Sequence, residues 1–286
     1  MSVKFSIVTP SFNQLSWLKL CAASIADQSD AGWEYIVQDA CSTDGTQEWL
    51  ATQSRVKAFV EIDSGMYDAV NRGWRKASGD IIAYLNCDEQ YLPGALKTVE
   101  EFFQKNPNVD VAFADTIVTD ANGDYICHRC ALKPIDPLMW ISFPVLTCAI
   151  FMRRQSMERA GITFDTKWRD VGDFFFVREI VRKLRVAVLP RFTSVFAWTG
   201  ANMSQKPNAV RENELKMQMA PRWVGPLKYP ITAHNRLRLA MRGAFFRKPF
   251  DYAIYTMASP DNRVTRRAEK PTALLKSRLP TTSASA

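Results

Sequence analysis

The chain has 286 residues, 47% hydrophobic and 12% aromatic, enough for one large globular domain or a domain with an appended arm. No apolar run reaches the ~20 residues of a membrane span, and residues 3–10 read as a first strand without the n-, h- and c-region order of a signal peptide. Charge is uneven: residues 1–205 hold 21 Lys and Arg against 24 Asp and Glu, whereas 206–286 hold 16 against 5, so a near-neutral body carries a basic arm suited to an anionic partner.

Strand patterns fall near 4–9, 33–39, 57–62, 80–86 and 109–115, with helical patterns between them near 14–27, 45–54, 66–77 and 94–105. That alternation predicts an α/β fold with a mostly parallel sheet wrapped by helices. The clearest helix is 66–77, where Met66, Ala69, Val70, Gly73, Trp74 and Ala77 form one apolar stripe and Asp68, Asn71, Arg72 and Arg75 fall opposite. Asp44 and Gln47 have the spacing of a capping box for the preceding helix. Further along, a helix is expected from about Asp173 to Lys183 and strands near 185–190 and 192–198. Prolines 207, 221, 226 and 230 then punctuate a basic helical arm, and Thr281–Ala286 reads as a disordered tail.

Chemistry concentrates where predicted strands end. Residues 81–85 form a short apolar run of the kind found in interior parallel strands, followed at once by Asn86, Asp88 and Glu89. Open α/β sheets place ligands at that carboxyl edge, and hard oxygen donors there suit Mg²⁺ or Mn²⁺ completed by substrate phosphates. Asp39, closing the second strand, can accept from the imide N–H of a uracil ring, whereas Asp44 in the same turn reads as a helix cap. Asp63-Ser64-Gly65 opens the helix carrying Asp68 and Asn71, whose N-terminus could face an anion; Asp68 and Arg72 equally form an i, i+4 ion pair. Cys127-x-x-Cys130 is a lone pair, and a structural zinc needs a second. The six cysteines lack the density of a secreted disulfide scaffold and fit a reducing cytosol.

Taken in order, four motifs resemble family 2 glycosyltransferases, the inverting class with the GT-A fold. They are Ile7-Val8-Thr9-Pro10-Ser11-Phe12-Asn13, Asp39 with Ser42-Thr43-Asp44-Gly45-Thr46, Asp63-x-Gly65-x-Tyr67-Asp68-Ala69-x-Asn71-x-Gly73, and Tyr84-Leu85-Asn86-Cys87-Asp88. The third is similar to the subgroup that builds bacterial exopolysaccharides of the capsule and colanic-acid type. The resemblance covers residues 4 to about 205. It implies a GT-A domain over 1–205, with a nucleotide-sugar half to about 115 and an acceptor half from 116, and a basic helical extension over 206–286.

The resemblance also implies roles. Thr9, Pro10, Ser11, Asn13 and Asp39 would line the nucleoside pocket, and Asp68 and Asn71 would shape the donor site. Asn86-Cys87-Asp88 occupies the family's Asp-x-Asp position: Asp88 would hold the Mg²⁺ or Mn²⁺, and Asn86 replaces the aspartate that usually faces the ribose. The late histidine that the family often adds to the metal has no counterpart in Phe196–Gly200. Asp173 resembles the general base that deprotonates the acceptor, with Asp170 as rival; either could instead cap a helix.

The expected reaction is transfer from a nucleotide sugar, a UDP-sugar, to a glycan or polyprenyl-diphosphate-linked acceptor at the cytosolic face of the membrane. Arg236, Arg238, Arg242, Arg247 and Lys248, interleaved with apolar residues, suit an anionic membrane surface or an ordinary helix packed on the body. No nucleic-acid module accompanies the charge. Two other readings are a sugar-1-phosphate nucleotidyltransferase, against which residues 9–16 lack the glycine-rich loop, and a non-catalytic subunit of a polysaccharide assembly complex.

Overall fold

The structure, a computed structural model, describes residues 4–200, 202 and 207–273; the tail expected at 281–286 lies outside them. The first half alternates as the pattern predicts: β1 (Lys4–Ser11), α1 (Leu15–Ala26), β2 (Gly32–Asp39), α2 (Thr46–Ala51), β3 (Val56–Val60), α3 (Met66–Arg75), β4 (Ile81–Tyr84), β5 (Glu89–Tyr91), α4 (Ala95–Lys105) and β6 (Val111–Asp120). Then come β7 (Tyr125–Arg129), α5 (Asp136–Met139), β8 (Ile150–Arg153), α6 (Arg154–Ala160), α7 (Gly172–Lys183) and β9 (Val186–Trp198). The C-terminal segment holds α8 (Pro207–Gln218), α9 (Val224–Met241), β10 (Phe250–Thr256) and β11 (Ser259–Ala268).

One sheet runs in the order β3-β2-β1-β4-β8-β6-β9-β5, with β7 added to β6. β3, β2, β1 and β4 are mutually parallel, as are β6 and β9, while β8, β5 and β7 run antiparallel to their neighbours. Its central strands are apolar on both faces, which forces cover from both sides. Phe5, Ile7, Tyr35, Val37, Ile81 and Ala83 pack toward α1 and α4, through Leu18, Ile25, Leu96, Val99 and Phe103. The alternate residues Val8, Ile36, Ile82 and Tyr84 pack toward α3 and α7, through Val70, Trp74, Phe176 and Ile180.

Three local expectations change. The strands expected at 185–190 and 192–198 are one bulged strand. Ala114 pairs with Leu189 but Asp115 with Phe192, leaving Pro190, which has no N–H for the ladder, and Arg191 between them. The capping box does not close: Asp44 Oδ1 accepts from Thr46 N (3.2 Å) and Thr46 Oγ1 (2.6 Å), Oδ2 accepts from Leu15 N at the start of α1 (2.8 Å), and Gln47 turns to the Ser42 carbonyl (2.6 Å). The extension expected as helical is so only through α9. Beyond it β10 and β11 pair antiparallel, because Tyr252 and Ile254 alternate onto one face and bury against Leu92, Ile117 and Val195.

Buried polar contacts join this C-terminal segment to the body. Asp115, fully buried, receives Nη2 of Arg242 (3.1 and 3.2 Å) and Nη2 of Arg247 (3.0 Å). His128 Nε2 donates to the Ala244 carbonyl (2.9 Å), which leaves Nδ1 to accept from Tyr125 Oη (2.7 Å). Gln90 exchanges two 2.9 Å bonds with the backbone of Tyr255. Cys127 and Cys130 are buried free thiols, and among the described residues no helix is long and apolar enough to cross a membrane.

Candidate functional site

Strand register aligns the residues singled out by the motifs. Ser11 stands opposite Asp39 and Val8 opposite Tyr84. The chain leaving β4 therefore runs beside the end of β1, where Cys87 Sγ donates to the Pro10 carbonyl (3.4 Å). The ends of β1, β2 and β4 thus form one edge, the carboxyl edge of the parallel strands.

At the β1–β2 corner the side chains hold one another. Asp39 is fully buried and accepts from Ser42 N (2.8 Å) and Ser42 Oγ (2.6 Å). Ser42 Oγ accepts from Asn13 N (2.8 Å), and Asn13 Oδ1 accepts from Thr43 N (2.8 Å). Asn13 takes a left-handed φ of 51°, which Asn tolerates better than most residues. Thr9 is buried and points at the Cys21 thiol (3.6 Å), away from the edge. Ser11 and Pro10 flank Cys87. As it stands, then, the Asp39 carboxylate is committed to its own turn.

Beside this corner, α3 begins at Gly65, whose φ of 128° belongs to glycine. Asp63 Oδ1 accepts from Gly65 N (2.8 Å). Asp68 accepts from Ser64 N (3.1 Å) and pairs with Arg72 (2.9 Å), the i, i+4 pair that its spacing allowed. Asn71 departs from the helix pattern, which put it on the polar side. It is buried and exchanges bonds with the backbone of Phe164 (2.9 and 3.0 Å), so its amide holds the loop ahead of α7.

At the end of β4 two carboxylates lie in sequence. Glu89 is buried; Oε2 accepts from Asn86 N (2.7 Å), and Oε1 is buried without a hydrogen-bond partner among the described residues. Burial, compounded by the charge of Asp88, pushes the Glu89 carboxyl up to about 8, and burial raises Asp88 to about 6. Asp88 Oδ2 accepts from Asn202 Nδ2 (3.0 Å), and Asn202 Oδ1 accepts from Thr199 N (2.9 Å).

Across the edge, α7 starts without a side-chain cap of its own. Gly172 makes its geometry possible: a Cβ there would lie 2.6 Å from the Tyr67 ring. Tyr67 Oη can therefore accept from Asp173 N (3.1 Å), and Asp173 Oδ1 accepts from Phe174 N (2.7 Å). Burial raises the Asp173 carboxyl, against the pull of that N–H and of the charges on Lys216 and Arg129. Asp170 instead points to α8, with Oδ2 accepting from Asn208 Nδ2 (2.5 Å).

Shared neighbours show how these groups converge. The Cys87 thiol, raised chiefly by burial, feels the charges of both Asp88 and Asp39. The Tyr84 hydroxyl, also raised chiefly by burial, feels both Glu89 and Asp173. Asp39 and Asp88 thus share Cys87 as a neighbour, and Glu89 and Asp173 share Tyr84.

Mg²⁺ binds through one or two carboxylates plus phosphate and water, and adjacent carboxylates with raised pKa, one bearing an unbonded oxygen, fit such an ion. Among the described residues no three His, Cys, Asp or Glu side chains gather to hold a metal by themselves. Sequence reading missed Asn202, Tyr67, Arg129 and Lys216 as neighbours of these carboxylates. Of them only Tyr67 had a local signal, its place in the Asp63–Gly73 block.

The profile described as "Glycosyl transferase family 2" matches residues 6–161. Among curated relatives, the putative teichuronic acid biosynthesis glycosyltransferase TuaG of Bacillus subtilis is 31% identical over 105 residues, 35% of this chain and 42% of that protein. A PGL/p-HBAD biosynthesis glycosyltransferase of Mycobacterium bovis is 31% identical over 182 residues, 60% of this chain and 67% of that protein. Among solved structures, S. aureus TarS 1–349 in complex with UDP-GlcNAc superposes with a TM-score of 0.59 at 17% identity, covering 85% of this chain and 73% of that one. The mannosyltransferase PcManGT of Pyrobaculum calidifontis, in complex with GDP-Man and Mn²⁺, gives 0.54 at 17% identity, covering 85% and 74%.

The carboxylate pair has a pH signature. Because the folded pKa of Glu89 lies above that of an unfolded glutamate, ~4.3, the folded state holds more protons between there and about 8, and stability falls as pH rises through that window. Glu89→Gln should therefore raise the melting temperature at pH 8 in EDTA and leave it unchanged at pH 4; equal melting at both pH values would refute the buried-charge assignment. By sequence profile and by the GT-A arrangement of sheet and helices, the chain belongs to glycosyl transferase family 2.

Proposed function

We propose that the protein transfers a sugar from a nucleotide sugar, a UDP-sugar, to a glycan or lipid-linked acceptor in bacterial exopolysaccharide assembly, with inversion at the anomeric carbon. The observation that supports this reading is that Asp39 and Asp88 follow neighbouring parallel strand ends and share Cys87, while Asp173 at the start of α7 shares Tyr84 with Glu89. The β1–β2 corner, built by Asp39 through Ser42 and Asn13, offers the nucleoside a rigid wall. Thr9 serves that wall from beneath, and Asp68 and Asn71 brace its far side through Ser64 and the Phe164 loop.

Asp88, with Glu89 behind it and Asn86 alongside, would hold a divalent metal, Mg²⁺ or Mn²⁺, which when bound offsets charge on the departing diphosphate. Asp173 takes the acceptor proton. Burial suits it to that task, since a carboxylate with raised pKa is a stronger base, and Tyr67 fixes the helix start that carries it. Asp170, turned toward Asn208, is the less apt of the two. Membership of the family disfavours the nucleotidyltransferase reading.

The basic segment also bears on where the acceptor is met. Arg238, Arg242 and Arg247 point inward, to the Lys133 carbonyl and Asp115. The outward side of α9 is apolar instead, with Tyr229 81%, Leu237 59% and Met241 73% exposed and Phe246 79% exposed just beyond it. Exposed Arg222, Lys228, Arg236 and Lys248 surround it, and no Asp or Glu occurs in 221–250. An apolar face rimmed by a single sign of charge is suited to an anionic bilayer surface, where a polyprenyl-diphosphate-linked acceptor would lie.

Asp173→Asn should lower kcat for hydrolysis of a UDP-sugar by about 10²- to 10⁴-fold with UDP binding retained, and the wild-type rate should fall as pH drops through a pKa above the ordinary aspartate value of ~3.9. Normal turnover in Asp173→Asn, with Asp170→Asn inactive, would move the base to Asp170. Asp88→Ala should abolish the Mn²⁺-dependent part of UDP binding in calorimetry, and an unchanged titration would end its metal role. For the surface, Leu237→Ser/Met241→Ser should lose flotation with phosphatidylglycerol vesicles while melting normally. Equal flotation of variant and wild type would discard the membrane face.

A further inference from the structure

The start of α7 depends on α8, a helix from the basic C-terminal segment. We propose that Glu212 on α8 is a positioning residue for Asp173, an inference that rests on Asp173 being the base. Buried backbone N–H groups need partners, and the turn that leads into α7 ends on Val171, whose side chain cannot cap the helix. Glu212 comes in across the fold to accept the three N–H groups of that turn: Oε1 from Arg169 N (2.8 Å), Oε2 from Asp170 N (2.8 Å) and Val171 N (3.1 Å).

The carboxylate is buried. Burial alone would raise its pKa, but the three N–H groups hold it below the usual glutamate value, so it stays charged against the positive end of α7. Asn208, one turn earlier, donates to Glu212 Oε1 (3.1 Å) and sets its orientation. On the same helix Lys216 lies 4.9 Å from the Phe174 ring and lowers the Asp173 carboxyl by its charge.

Asp173 is thus pinned from two sides. Tyr67 of α3 takes its backbone N–H, and Glu212 takes the three N–H groups just before it, other than that of Gly172. No other described side chain accepts from 169–171. Glutamine at 212 would present an NH₂ to backbone donors, leaving at least one of them unmet. The helix start, and with it the Asp173 carboxylate, would then be free to shift, and a displacement of about 1 Å at a reacting group can cost ~10²-fold in rate.

The test uses the full chain, with Mn²⁺ and the UDP-sugar that raises its melting temperature most. Glu212→Gln should lower kcat for donor hydrolysis by about 10- to 100-fold, with the donor KM and UDP affinity within about twofold of wild type. Glu214→Gln, the same charge change at an exposed position of the same helix, should behave as wild type. If Glu212→Gln does not fold, Asn208→Ala, which removes the orienting amide along with its bond to Asp170, should show the same selective loss in kcat, with Asp170→Asn as the control for the second contact. A folded Glu212→Gln or Asn208→Ala protein with normal kcat, alongside an inactive Asp173→Asn, overturns the positioning role alone. Normal turnover in Asp173→Asn overturns the assignment of the base itself. Parallel losses of kcat, UDP affinity and melting temperature would show Glu212 to be merely structural.

Discussion

Two adjacent carboxylates at the end of a buried strand are costly to keep charged, and the site is organised around that cost. Asp88 and Glu89 come just after the apolar run of β4, where burial raises both and the charge of Asp88 adds to the cost of charging Glu89. Asn86 N and Asn202 offer neutral donors only, and among the described residues no Lys or Arg forms an ion pair with either carboxylate. Such an arrangement makes the fold less stable than a neutral pair would, and a bound divalent cation is what would reverse the balance. Under the proposed function the instability has a use: a site strained by its own charge gains most from binding metal and diphosphate together.

The rest of the edge is built to be rigid. At the β1–β2 corner Asp39, Ser42, Asn13 and Thr43 satisfy one another in a closed set of hydrogen bonds, so the wall offered to a nucleoside exists before any ligand arrives. A preformed wall avoids the entropy of ordering a loop on binding. The same principle recurs at α7, where Tyr67 and Asn71 of α3 and Glu212 of α8 hold the loop and helix start from two elements.

The C-terminal segment serves two surfaces with one composition. Its arginines at 238, 242 and 247 turn inward, where the buried Asp115 would be an uncompensated charge without them. Its remaining cations and its apolar side chains face outward along α9. Net charge thus overstates what the segment can show a partner, because the strongest ion pairs are internal. The same arrangement makes truncation at residue 206 a poor probe of the segment's function, since it would remove Glu212 and both partners of Asp115.

The sequence by itself determined the alternating strands and helices of the first half, the apolar stripe of α3, and the placing of Asp39 and Asp88 at strand ends, because these are local patterns whose period and spacing record which side of the chain is buried. It also carried the β10 alternation, Phe250, Tyr252 and Ile254, though surrounding basic residues favoured a helical reading. Only the tertiary structure decided that Asn71 clamps Phe164, that Asn202 meets Asp88, that Glu212 holds the turn leading into α7, and which arginines turn inward. Each joins residues 41 to 132 positions apart, and no local period can record a partner that arrives from a distant element.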